Sequence, residues 1–231
     1  MSFPANVHIS KHPCLRAKLS QLRSGTTSAK EVKSLVHEIA LIVGCEALAV
    51  ALSTAVGPKD KTPLDFEYDT TVVTPETISL VPILRSGLGM VEALQTILPE
   101  PVPVHHLGLF REPTTLEPVE YYNNLPEHVH SGSDSHNAPR PTSSLAIILD
   151  PVIATGGTCA AAIQTLREWG AQRVLVLSLL GAEPGVLRAA AEWPEGVDIW
   201  LAAVDGELTS HGMLKPGLGD VGDRLFLTIG K

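Results

Sequence analysis

Cysteine is scarce in this 231-residue chain, basic residues are outnumbered, and no apolar run is long and unbroken. The three cysteines, Cys14, Cys45 and Cys159, are an odd number without C-x-x-C spacing, which provides no metal cage and fits a reducing compartment. Lysine and arginine total 17 against 25 acidic residues, a formal charge of −8, so non-specific attraction to nucleic acid or to an anionic membrane is disfavoured. An anionic small ligand must then be captured locally by arginines, loop N–H groups and metal, which gives weight to Arg85 and Arg111. The most apolar stretch, Leu35 to Val56, is interrupted by His37, Glu38 and Glu46, and the first residues lack the basic-then-apolar pattern of a secretory leader. A soluble, cytosolic protein with no membrane partner is expected. No Gly/Ser linker divides the chain, so a single domain over residues 1–231 is expected.

What is present is an alternation of strand-like and helix-like segments. Ser28-Ala-Lys-Glu31 has the pattern of a capping box and is followed by Val32, Leu35, Val36, Ile39, Ile42 and Val43 at helical spacing, which predicts a long helix with one buried face in an N-terminal helical segment, 1–60. Thr70 to Val73, Ile78 to Leu84 and Val102 to Phe110 are strand-like, and Gly87 to Ile97 is helix-like. Val174 to Leu180, Pro184 to Glu192 and Ile199 to Val204 continue the alternation, which predicts a mainly parallel sheet covered on both faces, with the terminal segments outside that core. His105 and His106, adjacent on an expected strand, face opposite ways and cannot share one ion. The segment 127–144 is rich in His, Ser, Gly, Asp, Asn and Pro and reads as a surface insertion; His128, His130 and His136 there lack the spacing of a metal site.

The chemistry concentrates in Ala146-Ile-Ile-Leu-Asp-Pro-Val-Ile-Ala-Thr-Gly-Gly-Thr158. An apolar, β-branched strand ends at Asp150, a Thr/Gly loop follows, and Ala160 to Trp169 has helical composition; open α/β sheets bind ligands at such strand-to-helix loops. Gly156 and Gly157 permit close backbone approach, while Thr155, Thr158 and the first N–H groups of the helix donate to phosphate oxygens. Asp150, acceptor-only when ionised, suits vicinal sugar hydroxyls and would repel a bare phosphate. Cys159 stands at the helix start, where a thiolate would be stabilised, but no partner base accompanies it and a packing role is expected. Arg85-Ser-Gly-Leu-Gly89 offers a second anion loop; a dinucleotide fingerprint would need a third glycine where Glu92 stands.

This segment resembles the phosphoribosyl-diphosphate (PRPP) motif of the type I phosphoribosyltransferases, in the form with Pro151 in place of a second acidic residue that is typical of the uracil phosphoribosyltransferase family. Val81-Pro-Ile-Leu-Arg-Ser-Gly-Leu-Gly-Met90, Leu107-Gly-Leu-Phe-Arg-Glu-Pro-Thr-Thr-Leu-Glu-Pro-Val-Glu-Tyr-Tyr122 and His211-Gly-Met-Leu-Lys-Pro-Gly-Leu-Gly-Asp-Val-Gly-Asp-Arg224 resemble further segments of that family, in the same order. The resemblance implies an α/β fold of the type I phosphoribosyltransferase kind: a mainly parallel sheet flanked by helices, a flexible β-arm at 107–126, a hood from the terminal segments and a base-binding segment at 205–231.

The implied reaction is uracil plus PRPP giving UMP plus diphosphate, a salvage step. PRPP is implied to contact Arg85, Arg111, Asp150, Pro151, Val152, Ile153, Ala154, Thr155, Gly156, Gly157, Thr158 and Asp220, and uracil to contact Leu214, Gly219, Asp220 and Val221. Asp220, Arg111 and Asp150 are the candidate catalytic residues. Mg²⁺ is implied to arrive mainly with the diphosphate, without a dedicated protein cage. A homodimer or larger assembly, activation by GTP and acceptance of 5-fluorouracil are further family expectations. Asn124 stands where the family often has lysine, and Lys215 and Val221 replace a commoner aliphatic residue and alanine. The rival readings are a nucleotide-sensing RNA-binding regulator on the same fold, which the net charge disfavours, and a catalytically idle homologue.

Overall fold

The computed structural model describes residues 3–112, 118–126 and 142–228. In chain order its elements are β1 (Val7–Ile9), α1 (Pro13–Arg23), α2 (Ala29–Ala51), β2 (Ser53–Lys61), β3 (Glu67–Thr74), β4 (Ile78–Leu84), α3 (Leu88–Ile97), β5 (Leu107–Arg111) and β6 (Pro118–Asn123). Then follow β7 (Leu145–Leu149), β8 (Val152–Ile153), α4 (Gly157–Glu168), β9 (Val174–Ala182), α5 (Glu183–Ala190), β10 (Val197–Asp205), β11 (Glu207–Leu208), β12 (Leu214–Lys215) and α6 (Val221–Phe226). The main sheet runs β1-β10-β9-β7-β4-β5-β6, parallel throughout except for the β5–β6 pair, with β8 added beside β9.

Both faces of this sheet are covered, as its sequence requires. Every residue of β7 and β9 is buried, the pattern of strands sandwiched between helices. Alternation divides their side chains: Leu80, Ile147, Leu149, Leu175 and Leu177 join the core beneath α1, α2 and α3, while Val81, Ala146, Ile148, Val174 and Val176 join the core beneath α4 and α5. Helix α2 begins as expected, with the Ser28 hydroxyl accepting from the Glu31 N–H and the Glu31 carboxylate accepting from the Ser28 N–H. Among the described residues it is the one helix long and apolar enough to cross a bilayer, yet Val32, Val36, Ile39, Val43 and Ala47 are buried in the protein core.

Three expectations are corrected. The N-terminal segment is not helical to residue 60: the helix stops at Ala51 and residues 53–61 are a strand, because Thr54 and Val56 pair with Val73 and Thr71 in a separate two-stranded ribbon with β3. Nor does that segment lie outside the core, since β1 extends the sheet and α1 and α2 cover one face. Of Val102 to Phe110 only 107–110 is strand, continuing to Arg111; Pro101 and Pro103 lack the N–H a ladder needs, and Val104 makes a single bridge to Leu80. His105 and His106 therefore precede the strand. His105 packs edge-on against Trp169, 5.4 Å between ring centroids, and burial followed by the charge of His106 lowers its pKa. Most of the 127–144 insertion, including His128, His130 and His136, lies outside the described residues.

The C-terminal segment is tied to α1 by two arginines. Arg23 makes a two-pronged pair with Asp205 at 2.6 and 3.0 Å and donates to the Gly217 carbonyl at 2.7 Å, while the Gly217 N–H donates to Asp205 at 2.9 Å. Arg224 donates to the carbonyls of Leu22, Leu218 and Ser24. Burial pushes the Asp205 carboxyl upward, but Arg23 and the Gly217 N–H outweigh it and hold the group below its ordinary range. Its contribution to stability is thus present above the unfolded carboxylate pKa and is lost as pH falls through the lower folded value. Asp205→Ala, which strands Arg23, is expected to destabilise the protein by about 3 kcal/mol at pH 7, measured by urea denaturation, with the deficit shrinking in acid.

Candidate active site

The order of strands creates a crevice. From β4 the chain crosses through α3 to β5 on one side, whereas from β7 it crosses through α4 to β9 on the other. Adjacent strands whose successors depart in opposite directions leave a gap at their carboxyl ends, the position where open α/β sheets take ligands. Leu84–Arg85, joined by a cis peptide, ends β4, and Leu149–Asp150 ends β7. The loop after β4 is pressed onto β7: a β-carbon on Gly87 would lie 2.2 Å from the Leu149 carbonyl oxygen, so only glycine fits.

Beyond β7, the Pro151 carbonyl accepts the N–H groups of Leu179 and Leu180, and β8 pairs with β9. Gly156 then adopts φ +78° and α4 starts at Gly157. A β-carbon on Gly156 would stand 2.2 Å from the Gly185 carbonyl oxygen, and one on Gly185 would stand 2.0 Å from that of Ala154. Backbone thus lies on backbone, and the start of α5 moulds the loop from below. A cavity of about 160 Å³ opens here, lined by Asp150, Val152, Ile153, Ala154, Thr155, Gly156, Thr158 and Cys159, with Ile83, Leu84, Ser86 and Leu109 opposite. Burial pushes the Asp150 carboxyl up to about 7, partly opposed by the Val152 N–H. Cys159 is buried beside it, and burial, then the charge of Asp150, raises the thiol well above its ordinary value; it is a packing residue, not a nucleophile.

A second cavity, of about 290 Å³, adjoins the first across Leu84, Ser86 and Leu109 and adds Arg85, Phe110, Tyr121, Asp220 and Gly222. Arg85 reaches the C-terminal segment, donating to the Thr228 hydroxyl at 3.4 Å and lying 3.7 Å from the Asp223 carboxylate. Asp220 caps α6 by accepting from the Asp223 N–H at 2.9 Å. The fold therefore brings Arg85, Asp150, the 152–158 loop and Asp220 to one crevice, although Arg85 and Asp220 are far apart in the chain. Arg111 ends β5, and its side chain lies outside the described residues.

Of the other residues expected at the base, Gly219 is exposed with φ +77°, while Leu214 and Val221 are buried in the core on the α1 to α3 side. Phe110 and Tyr121, tilted with ring centroids 6.0 Å apart, form an aromatic wall that sequence reasoning did not single out; alternation in β5 and the paired tyrosines of β6 were the available signal. Asn124, where lysine is common in the family, accepts the His106 N–H and closes the base of the β5–β6 hairpin. Lys215 pairs outward with Glu207 at 2.8 Å, which removes it from the crevice.

Hard oxygen donors are the metal-binding chemistry available here. Among the described residues no three His, Cys, Asp or Glu side chains converge, while two carboxylates, Asp150 and Asp220, border the cavities. Such a set fits Mg²⁺ that keeps waters and is held largely by substrate phosphates.

A parallel sheet with an acidic strand tip, a phosphate-type loop and a second cationic loop across the switch point defines an α/β protein that takes an anionic ligand at its strand ends. A family model described as uracil phosphoribosyltransferase matches residues 9–228. The chain is 42% identical to the uracil phosphoribosyltransferase of Roseiflexus sp. strain RS-1, covering 97% of this chain and 99% of that protein. It is 36% identical to a putative uracil phosphoribosyltransferase of Schizosaccharomyces pombe, covering 96% and 90%. The solved structure of the AQ2163 protein from Aquifex aeolicus superposes with a TM-score of 0.82 at 29% identity, covering 96% of this chain and 98% of that one. This chain belongs to the uracil phosphoribosyltransferase family.

The raised pKa of Asp150 has a sign in stability. Folded protein retains its proton up to about pH 7 whereas the unfolded chain loses it near the ordinary carboxylate value of 3.8. Stability linked to this group is therefore complete below the lower value and is lost as pH rises through the upper one. Asp150→Asn, permanently neutral, is expected to match the wild-type stability near pH 4 and to exceed it above pH 7, by on the order of 2–4 kcal/mol. Thermal denaturation across that range checks it.

Proposed function

We propose that this protein transfers the phosphoribosyl group of PRPP to N1 of uracil, releasing diphosphate and forming UMP. One observation carries this reading: the cavity holding Asp150 and the Thr155 to Thr158 loop shares the walls of Leu84, Ser86 and Leu109 with the cavity holding Arg85 and Asp220. Ribose 5-phosphate suits the first and the leaving diphosphate and base suit the second. Arg85 offsets the charge that develops as the C1′–oxygen bond breaks, and Arg111, at the end of β5, is proposed to reach the same group. Asp150 accepts the ribose hydroxyls and so fixes C1′ in line with N1. Mg²⁺, when bound with the diphosphate and bordered by Asp150 or Asp220, supplies further charge neutralisation.

Uracil is proposed to be read by the backbone of residues 214–221 around exposed Gly219, the N–H and carbonyl of Gly217 being taken by Asp205 and Arg23 and the side chains of Leu214 and Val221 being spent on the core. A site built for the N3–H donor and O4 acceptor leaves buried groups unpaired when offered cytosine. The β5–β6 hairpin, bringing Phe110 and Tyr121 over the second cavity, is proposed to exclude water, which competes with the base for the sugar. Asp220 is proposed to help the N1 proton depart. Exposed, unpaired Cys14 and Cys45 suit the reducing cytosol.

Self-association is proposed through the β2–β3 ribbon, which leaves Val56 79%, Leu64 78% and Phe66 68% exposed, apolar side chains that a monomer would ordinarily cover. Changing Val56 and Phe66 together to Glu is expected to convert an oligomer to monomer in analytical ultracentrifugation; a wild-type monomer would remove this assignment.

Diphosphate release from PRPP and Mg²⁺ is expected with uracil and absent with cytosine, hypoxanthine or no base. Asp150→Asn is expected to lower kcat/KM about a hundredfold, and Asp220→Asn to lower kcat about tenfold with little change in KM for PRPP. Release with another base alone would overturn the base assignment, and near-normal turnover by Asp220→Asn would remove its proton role.

A further inference from the structure

Arg188 takes no part in the chemistry above, yet it stands over the start of α4. A β-carbon on Gly157 would lie 3.3 Å from Arg188 Nη1, 3.6 Å from its Cζ and 3.6 Å from Pro118 Cδ, so this guanidinium and the first residue of β6 together cover the first residue of the helix. Its position follows from the backbone contact beneath it. The seating of Gly185 on Ala154 and Gly156 fixes α5 against the loop, and Arg188, three residues on, lies on the same face of α5. A helical side chain covers the turn N-terminal to its own Cα, so Arg188 is directed back toward the loop.

The plain alternative is that Arg188, in the last turn of α5, serves the negative end of that helix dipole. Its guanidinium is turned toward the start of α4, within 3.3–3.6 Å of where a Gly157 β-carbon would stand. It is also uncompensated. Among the described residues the arginines in ion pairs are Arg23, Arg85 and Arg173, and Arg188, in a chain of formal charge −8, is in none. At the same end of α4 are the N–H groups of its first turn, and Thr155 and Thr158 border the smaller cavity.

From this juxtaposition we infer that Arg188 is a positioning residue for the 5′-phosphate of the phosphoribosyl ligand, adding one charge-assisted hydrogen bond to those of the loop. The inference rests on the proposed phosphoribosyl transfer and names a residue for one end of that ligand. Arg85 lines the other cavity, so Arg188 discriminates a phosphate monoester at the 5′ end from the diphosphate at C1′. The same contact favours UMP over uridine, because only the nucleotide carries the anion that the guanidinium would meet.

The test is calorimetric titration of wild-type, R188Q and R188K proteins with UMP and with inorganic pyrophosphate plus Mg²⁺, joined to steady-state kinetics in PRPP. R188Q is expected to weaken UMP about tenfold, to raise KM for PRPP by a similar factor with kcat within about twofold, and to leave pyrophosphate binding unchanged; R188K recovers part of the loss. Arg188 is exposed, and an unchanged Tm keeps the comparison free of unfolding. UMP affinity unchanged in R188Q, or an equal loss for UMP and pyrophosphate, overturns the role of Arg188 while leaving the transfer reaction standing. Wild-type protein that binds neither ligand and transfers nothing overturns the proposed function and this inference with it.

Discussion

The opposite departures of the chain from β4 and β7 are the constraint on which the site depends. Right-handed crossovers send α3 to one face of the sheet and α4 to the other, and the two strand ends are left side by side. Each strand delivers one functional loop into that gap, Arg85 to Gly89 from β4 and Asp150 to Thr158 from β7. Bare backbone then fixes the distance between layers: Gly87 rests on the carbonyl of Leu149, and Gly156 on that of Gly185. Any side chain at those points would separate the loops that must cooperate.

Electrostatics in this crevice is set by burial and by thrift with positive charge. The protein carries an excess of acidic residues, and two of its arginines, Arg23 and Arg224, are committed to anchoring the C-terminal segment. That anchoring presents Asp220 to the crevice and places Thr228 and Asp223 beside Arg85. Asp150, buried with one backbone N–H for company, holds a proton near neutrality in the absence of ligand. Hydroxyl donors or a cation from a bound substrate would favour its ionised form, so ligand binding and proton release are linked at this residue.

Much of the architecture was legible before folding. The buried strands at Ala146 to Leu149 and Val174 to Leu180 are apolar on both faces, and the Ser28 to Glu31 capping box marks a helix start without tertiary help. Errors fell where local pattern and pairing compete. Residues 53–61 have little apolar periodicity and become a strand only because β3 lies opposite, and the prolines at 101 and 103 delay β5 in a stretch that composition alone calls extended. In the site, Asp150 and the glycine loop were legible because special backbone geometry demands special residues. Phe110, Tyr121 and Arg188 were not, because an aromatic or a basic residue on an ordinary strand or helix carries no local mark of what it faces.

Sequence by itself determined the alternation of strands and helices, the two anion loops with their glycines and Asp150, and the family to which the chain belongs, since each rests on residues close together in the chain. Tertiary structure alone decided that the loops share one crevice, that Asp150 is buried enough to keep its proton, that Cys159 and Val221 are packing, and that Arg188 lies over Gly157. Those are properties of distance and desolvation between segments remote in sequence, and they exist only once the sheet order has brought the segments together.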